Sequence, residues 1–169
     1  STISAFENFK KLDNADLKSK YEAYKEANKF WLEKDSLYEA LIEEHGNDYW
    51  PMWTSEMDKA LFNPETEEQK VQYAQRIQEL KEKYADIIEY YSFCQFVISV
   101  QNEKTREYAQ SKGLKMIADR QVAFSDRDNW AYQAYFLKGW CLGCPPDLFS
   151  DDGQAWGFPV MDPEKLFNE

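Results

Sequence analysis

The amino-acid sequence predicts a mainly α chain that carries one strand–helix unit and a long irregular loop. Three observations predict it. Apolar residues recur at spacings of three and four from the N-terminus to about residue 112, which is the period of a helix face. A short apolar run, Leu114 to Ala118, follows Gly113, as a buried parallel strand follows a helix in an α/β unit. Four of the six Gly and four of the six Pro then lie between residues 139 and 163, a density that reads as loop.

The elements follow in order. Ile3, Phe6, Phe9 and Leu12 form one face of a short first helix. Asp13, Asn14 and Asp16 offer turn and cap chemistry before the next. Leu17, Tyr21, Tyr24, Phe30, Trp31, Leu37, Tyr38, Leu41 and Ile42 carry that second stripe, which Gly46 closes. Tyr49 to Trp53 is an aromatic connection, and Thr54 or Ser55 caps a short helix reaching Phe62. Asn63-Pro64-Glu65 predicts the next helix start, with Pro at its first position. From Val71 the pattern runs through Tyr91 and on to Tyr108, and Gly113 ends it. Leu114 to Asp119 is the predicted strand, and Asp126 to Phe136 a short helix.

The balance of 20 Lys+Arg against 31 Asp+Glu leaves a net charge of −11. That argues against nucleic acid, whose phosphates need a positive footprint, and against anionic membrane surfaces. No apolar run is long enough to span a bilayer, and the N-terminal residues lack a signal-peptide pattern. Three cysteines are an odd number, so a disulfide framework is not expected and a reducing cytoplasm fits. With 43% apolar and 30% charged residues the chain is expected to fold. Aromatic residues make up 17%. Those at helical spacing serve a core. Those between residues 139 and 163 have no periodic core to serve.

Several candidate sites fail on spacing. Cys141-Leu-Gly-Cys144 has redox or half-zinc spacing. Pro145-Pro146 follow it, where a redox pair would open a helix, and only Cys94 and His45 remain as further ligands. Both cysteines read as small loop residues. Asp147, Asp151 and Asp152-Gly153 hint at calcium, but an EF-hand loop with Gly153 sixth puts Leu148 at its first position. His45, the one histidine, falls in a predicted turn and reads as a surface residue. No metal and no cofactor is expected. Gln154 and Trp156 beside Asp147 form a set that suits sugars. An indole face stacks on a sugar ring, while amide and carboxylate groups bond hydroxyls. Asp119, at the end of the predicted strand, either caps and pairs locally or faces a site, as strand ends do in barrels.

The stretch Cys144-Pro-Pro-Asp-Leu-Phe-Ser-Asp-Asp-Gly-Gln-Ala-Trp-Gly-Phe-Pro159 resembles the Pro-Pro-Asp-Tyr-Phe-Ser…Gly-Gln-x-Trp-Gly-x-Pro segment of 4-α-glucanotransferases, the amylomaltases or disproportionating enzymes of glycoside hydrolase family 77. Upstream, Arg106-Glu-Tyr-Ala-x-x-x-Gly-Leu-Lys-Met-Ile-Ala-Asp119 is similar to that family's helix leading into a barrel strand. Trp130 matches a family Trp in the following helix. Ala23 to Trp53, with Asn28 and Trp31-Leu32, is similar to its helical insert. The chain departs from the family at Ala118-Asp119-Arg120-Gln121, where many members read Gly-Asp-apolar-Pro. It departs again at Phe158, where many carry Asn.

The resemblance implies a helical insert subdomain over 1–112, a strand and helix of a (β/α)8 barrel over 113–138, and a substrate loop and tail over 139–169. It implies retaining transfer of α-1,4-glucan chains between maltooligosaccharides, which needs two carboxylates. The family's nucleophile lies in an Arg-x-Asp-His segment that does not occur in these residues. No catalytic residue is therefore expected here, and the segment by itself is expected to be inactive. Asp147, Gln154, Trp156 and Asp119 match positions that contact α-glucan. The other reading is an independent acidic helical module whose aromatic loop binds a protein. Leu114 to Ala118 is expected to be covered by the helices or to pair with a second copy, since an open strand edge self-associates.

Overall fold

The structure is a computed structural model of the chain, and it describes residues 2–119, 121 and 123–167. Arg120 of the Ala118–Gln121 segment lies outside them. The described residues group into two compact units that interleave along the chain, 1–46 with 76–119 and 47–75 with 120–169.

The first unit is helical. Helix α1 spans Thr2–Lys11 and α2 spans Ala15–His45. Asn14 is the cap of α2, its side-chain oxygen accepting the Leu17 N–H at 2.9 Å. Asp16 sits in the first turn and pairs with Lys20 at 2.7 Å. His45 is the last residue of α2 and is half-buried. Helix α3, a single turn over Glu56–Lys59, belongs to the second unit. Helix α4 spans Glu67–Lys83 and α5 spans Ala85–Ser111.

Helices α2 and α5 pack along their length. At one end Phe6, Tyr21, Phe93 and Phe96 are buried, with Phe9, Tyr24 and Tyr90 packed against them. The rings meet edge to face or tilted, as at Phe9–Tyr21 (5.3 Å, 85°) and Tyr21–Phe96 (5.3 Å, 57°). That geometry sets the positive ring edge against the negative face. The Tyr21 hydroxyl donates to the Glu89 carbonyl at 3.3 Å, and burial raises its pKa. Much of the aromatic excess at helical spacing is therefore core, while Phe30 and Tyr108, expected on the same stripes, are 70% and 66% exposed.

Four helix boundaries differ from expectation. The short helix expected to reach Phe62 ends at Lys59, and the one expected over Asp126–Phe136 ends at Ala131, Phe136 being drawn into a strand. Helix α4 begins at Glu67, not at Pro64. Thr66 accepts the Gln69 N–H at 3.1 Å, while the Gln69 side chain accepts the Glu65 and Thr66 N–H groups at 2.7 and 3.2 Å. This Thr-x-x-Gln box satisfies several orphan donors at once, which Pro64 has no means to do. The long pattern from Val71 to Tyr108 is also broken at Tyr84, which leaves helical dihedrals.

That break faces Glu44. Lys83 pairs with Glu44 at 2.6 Å, Arg76 approaches it at 3.4 Å, and the Tyr84 hydroxyl donates to the same carboxylate. The bonds from Lys83 and Tyr84 hold its pKa down from 4.5 to about 2. A depressed carboxyl contributes stability that is complete above the ordinary pKa and is lost as pH falls through the folded value. Glu44→Gln is expected to cost about 1–2 kcal/mol at neutral pH, allowing for solvent screening of a surface cluster. It should also flatten the fall in stability between pH 4.5 and about 2. Urea midpoints across that range check it, and parallel curves for the two proteins would contradict it.

Residues 114–119 do not form the expected strand. They have no regular structure, and Leu114, Met116 and Ile117 are 63%, 62% and 97% exposed. Nor are they covered by the helices as expected. A parallel strand is held by hydrogen bonds to neighbours on both sides, and no described residue pairs with this run.

The second unit has a small core of its own. Helix α6 spans Asp126–Ala131 and is opened by a reciprocal capping box between Ser125 and Asp128. It buries Trp130 completely against Trp53 and Phe62, at ring distances of 6.0 and 5.2 Å. The Trp130 indole donates to the Asp58 carbonyl at 2.8 Å, and the Gln133 amide donates to the Lys59 carbonyl at 2.6 Å. A helical turn over Gln133–Tyr135 leads into strand β1, Phe136–Cys144, which pairs antiparallel with β2, Gln154–Met161. Helix α7, Pro163–Phe167, follows.

The span expected as an irregular loop is therefore mostly a hairpin. Its ladder is uneven, with register shifts between Phe136 and Cys141 and between Cys141 and Gly143. Pro159 is tolerated because a two-stranded sheet has only edge strands.

Candidate functional site

The candidate residues gather at the far end of the hairpin, in the connection 145–153 and the first residues of β2. Asp147 shapes the connection. Its Oδ1 accepts the N–H groups of Phe149 and Ser150 at 2.8 and 2.9 Å, an Asx turn. The Ser150 carbonyl accepts the N–H groups of Asp147 and Gly153 at 3.0 and 3.2 Å, and its hydroxyl donates to the Gly153 carbonyl at 2.7 Å. Gly153 has φ of 73°, and a Cβ there would lie 2.5 Å from the Cys144 carbonyl oxygen. Only glycine closes this turn.

The turn leads into Gln154 and Trp156. They are two residues apart on one strand, so they share a face. The Trp156 indole donates to Gln154 Oε1 at 3.2 Å. That bond orients both, leaving the Gln154 amide nitrogen and the indole face to solvent, with Trp156 47% exposed. Asp147 is exposed, and its Oδ2 accepts no hydrogen bond among the described residues. The end of the hairpin thus offers one free carboxylate oxygen, an oriented amide and an indole face. Together they can accept hydroxyl hydrogens, donate to hydroxyl oxygens and stack on a ring.

Asp119 ends the 114–119 segment of the first unit, where it is solvent-exposed. Leu148 and Phe149 are 99% and 93% exposed in the connection, and sequence reasoning did not single them out as site residues. Their signal was a hairpin one. Two strand-length runs flank a Pro-Pro-Asp…Asp-Gly connection, and the apex of such a connection faces outward.

Cys141 and Cys144 both lie on β1, and all three cysteines are free. Neither opens a helix, where a dipole would activate a thiol. Among the described residues no three His, Cys, Asp or Glu side chains gather as a metal set. No described helix is long and apolar enough to cross a membrane.

The model of glycoside hydrolase family 77, described as 4-alpha-glucanotransferase, matches residues 2–169. The chain belongs to this family. The 4-alpha-glucanotransferase of Aquifex aeolicus is 30% identical over 95% of this chain and 31% of its own length. The chloroplastic/amyloplastic 4-alpha-glucanotransferase of Arabidopsis thaliana is 32% identical over 88% of this chain and 26% of its own. The amylomaltase of Streptococcus agalactiae, solved in complex with acarbose, superposes with a TM-score of 0.75 at 24% identity, over 95% of this chain and 31% of that one. This family 77 chain therefore spans less than a third of the relatives it matches. Its helical architecture is that of the corresponding part of an amylomaltase.

Proposed function

We propose that this chain is the part of a 4-alpha-glucanotransferase that holds the sugar chain near the bond being exchanged. The observation that carries the proposal is the Gln154–Trp156 pair beside Asp147, on the segment that resembles the family's Gly-Gln-x-Trp-Gly loop. In a retaining transfer one carboxylate attacks the anomeric carbon and another protonates the leaving oxygen. The role of these residues is different. They grip sugar hydroxyls and a ring face, seat the acceptor and displace water, so that transfer outruns hydrolysis. The acarbose complex of the S. agalactiae amylomaltase supports an α-glucan or maltooligosaccharide as the ligand.

In the whole protein, residues 1–112 act as a helical insert, 113–138 as a barrel strand with its helix, and 139–169 as substrate loop and tail. Leu114 to Ala118 gains its strand neighbours there, and Asp119 then stands at a strand end facing the glucan. In the isolated chain the bare run is a point for self-association. Three free thiols suit a reducing, cytoplasmic setting.

The test is maltoheptaose binding, followed by titration of the chain and of Trp156→Ala. Loss of one stacking face is expected to weaken binding by about 1 kcal/mol or more, by analogy with ring-on-base stacking. The full enzyme should lose turnover on oligosaccharides in step. Equal affinity in the variant would leave Trp156 as packing alone.

A further inference from the structure

The second unit contains a cavity of about 260 Å³ at the root of the hairpin, away from the connection that carries Asp147. Trp50, Asn63, Asn129, Gln133, Lys138 and Trp140 line it, together with the apolar Phe136 and Leu137 and with Gly157 and Pro159. One of its walls holds an unresolved polar group. The Trp50 indole nitrogen is buried and has no hydrogen-bond partner. A buried donor left unpaired forfeits its bond to water, and such a group calls for an explanation.

We propose that this cavity is a binding site for a single neutral sugar ring, separate from the contacts at the far end of the hairpin. Four features support it. The Asn63 and Asn129 amides make no side-chain hydrogen bonds among the described residues, so each offers both a donor and an acceptor. Gln133 adds an amide oxygen, its NH₂ group being held by the Lys59 and Trp130 carbonyls. Trp140, 70% exposed, supplies a ring face at the mouth. The volume lies just below the range of about 300–1,000 Å³ usual for drug-sized ligands, which suits one ring and excludes a long chain.

Charge selects against an anion. Lys138 is the one cation among the described lining residues, and it already pairs with Glu65 at 3.2 Å. The chain as a whole carries −11. A neutral polyhydroxyl ligand needs no countercharge. Its pairing with the Trp50 N–H, which is buried in this structure, requires the wall to open; Asn63 and Asn129 have no side-chain hydrogen bonds among the described residues to oppose that, whereas the Gln133 amide is held by the Lys59 and Trp130 carbonyls. The proposal rests on the α-glucan reading only for the choice of probe.

The experiment follows the indole N–H signals of the six tryptophans by heteronuclear NMR while maltose is added to the chain. Trp50→Phe, Trp140→Phe and Trp156→Phe assign the three signals that matter. The Trp50 signal is expected to shift along a saturable curve with a midpoint different from that of Trp156. Trp50→Phe keeps an aromatic ring and removes the donor, so the shift of the Trp140 signal should need about threefold to tenfold more maltose. Asn63→Ala, on the cavity rim, should weaken binding in the same direction if Trp50→Phe fails to fold. A shift at Trp156 alone overturns the cavity site and leaves the hairpin-end contacts standing. One shared midpoint for both signals overturns its separateness. A Trp50 signal that reports a long-lived water and ignores maltose overturns the site as well.

Discussion

Trp130→Ala is expected to cost roughly 3–5 kcal/mol, the range for truncating a large buried aromatic residue. Trp130 is fully buried, with Trp53 and Phe62 edge-on to its ring at 6.0 and 5.2 Å. Truncation removes the ring they pack on and leaves a cavity in a core with few other large residues. It also removes the 2.8 Å bond that the indole N–H makes to the Asp58 carbonyl. Against the total of about 5–15 kcal/mol typical of a domain, the second unit should unfold at much lower urea. Trp130→Phe separates the terms. It keeps most of the ring and loses the hydrogen bond, so about 1–2 kcal/mol is expected. Urea titrations followed by Trp53 emission measure both. A loss below 1 kcal/mol for the alanine variant would show that the core closes over the gap.

Gly143→Ala carries the second large effect, and it links the fold to the candidate site. A Cβ at Gly143 would sit 2.1 Å from the Gln154 carbonyl oxygen and 3.2 Å from its carbonyl carbon. Both atoms are backbone, so no side-chain rotation relieves the clash. The strands must part where Gly143 faces Ala155 and Cys144 faces Gln154. Overpacking of this kind costs on the order of 1–3 kcal/mol. The cost falls on the hairpin end and not on the Trp130 core. Amide exchange at residues 141–144 and 154–156 is expected to rise while the Trp130 indole N–H stays protected. Maltoheptaose affinity should drop at least as far as in Trp156→Ala, because Gln154 and Trp156 lose their shared strand. Unchanged affinity with a disordered hairpin end would remove this hairpin from the glucan contacts.

Much of this architecture was legible in the residues, for reasons that differ by element. The stripes through α1, α2 and α5 read correctly where one face of each helix is buried, since burial imposes a period on the sequence; they overran it at Ile3, Phe30 and Tyr108, which are exposed. A cap was legible among Asp13, Asn14 and Asp16 and again at Thr54 or Ser55, because a cap bonds its own helix, a local matter; the structure gives the role to Asn14 and Ser55. The start of α4 read wrongly. Two local signals competed there, and the Thr66–Gln69 box won over Pro64. The hairpin read as loop because strand pairing is non-local. Gly and Pro weaken the alternation that would announce it, and an edge strand tolerates both. Leu114 to Ala118 read as strand from its apolar character, but pairing supplies a strand, and these described residues have no partner.

Of the candidate site, the residue types were legible and their commitments were not. Asp147 read as a sugar-binding carboxylate or a turn former. The structure gives one oxygen to the turn and leaves the other. The bond from Trp156 to Gln154 follows from their spacing on a strand, once the strand itself is known.

By itself the sequence determined most of the helices and the family, since each depends on neighbours close along the chain. Only the tertiary structure decided which tryptophans are core and which are surface. Trp130 and Trp53 are 0% and 2% exposed, while Trp140 and Trp156 are 70% and 47% exposed. The residue type is the same in all four. The difference lies in what packs across from each ring, and for Trp130 those partners, Phe62 and Trp53, come from far up the chain.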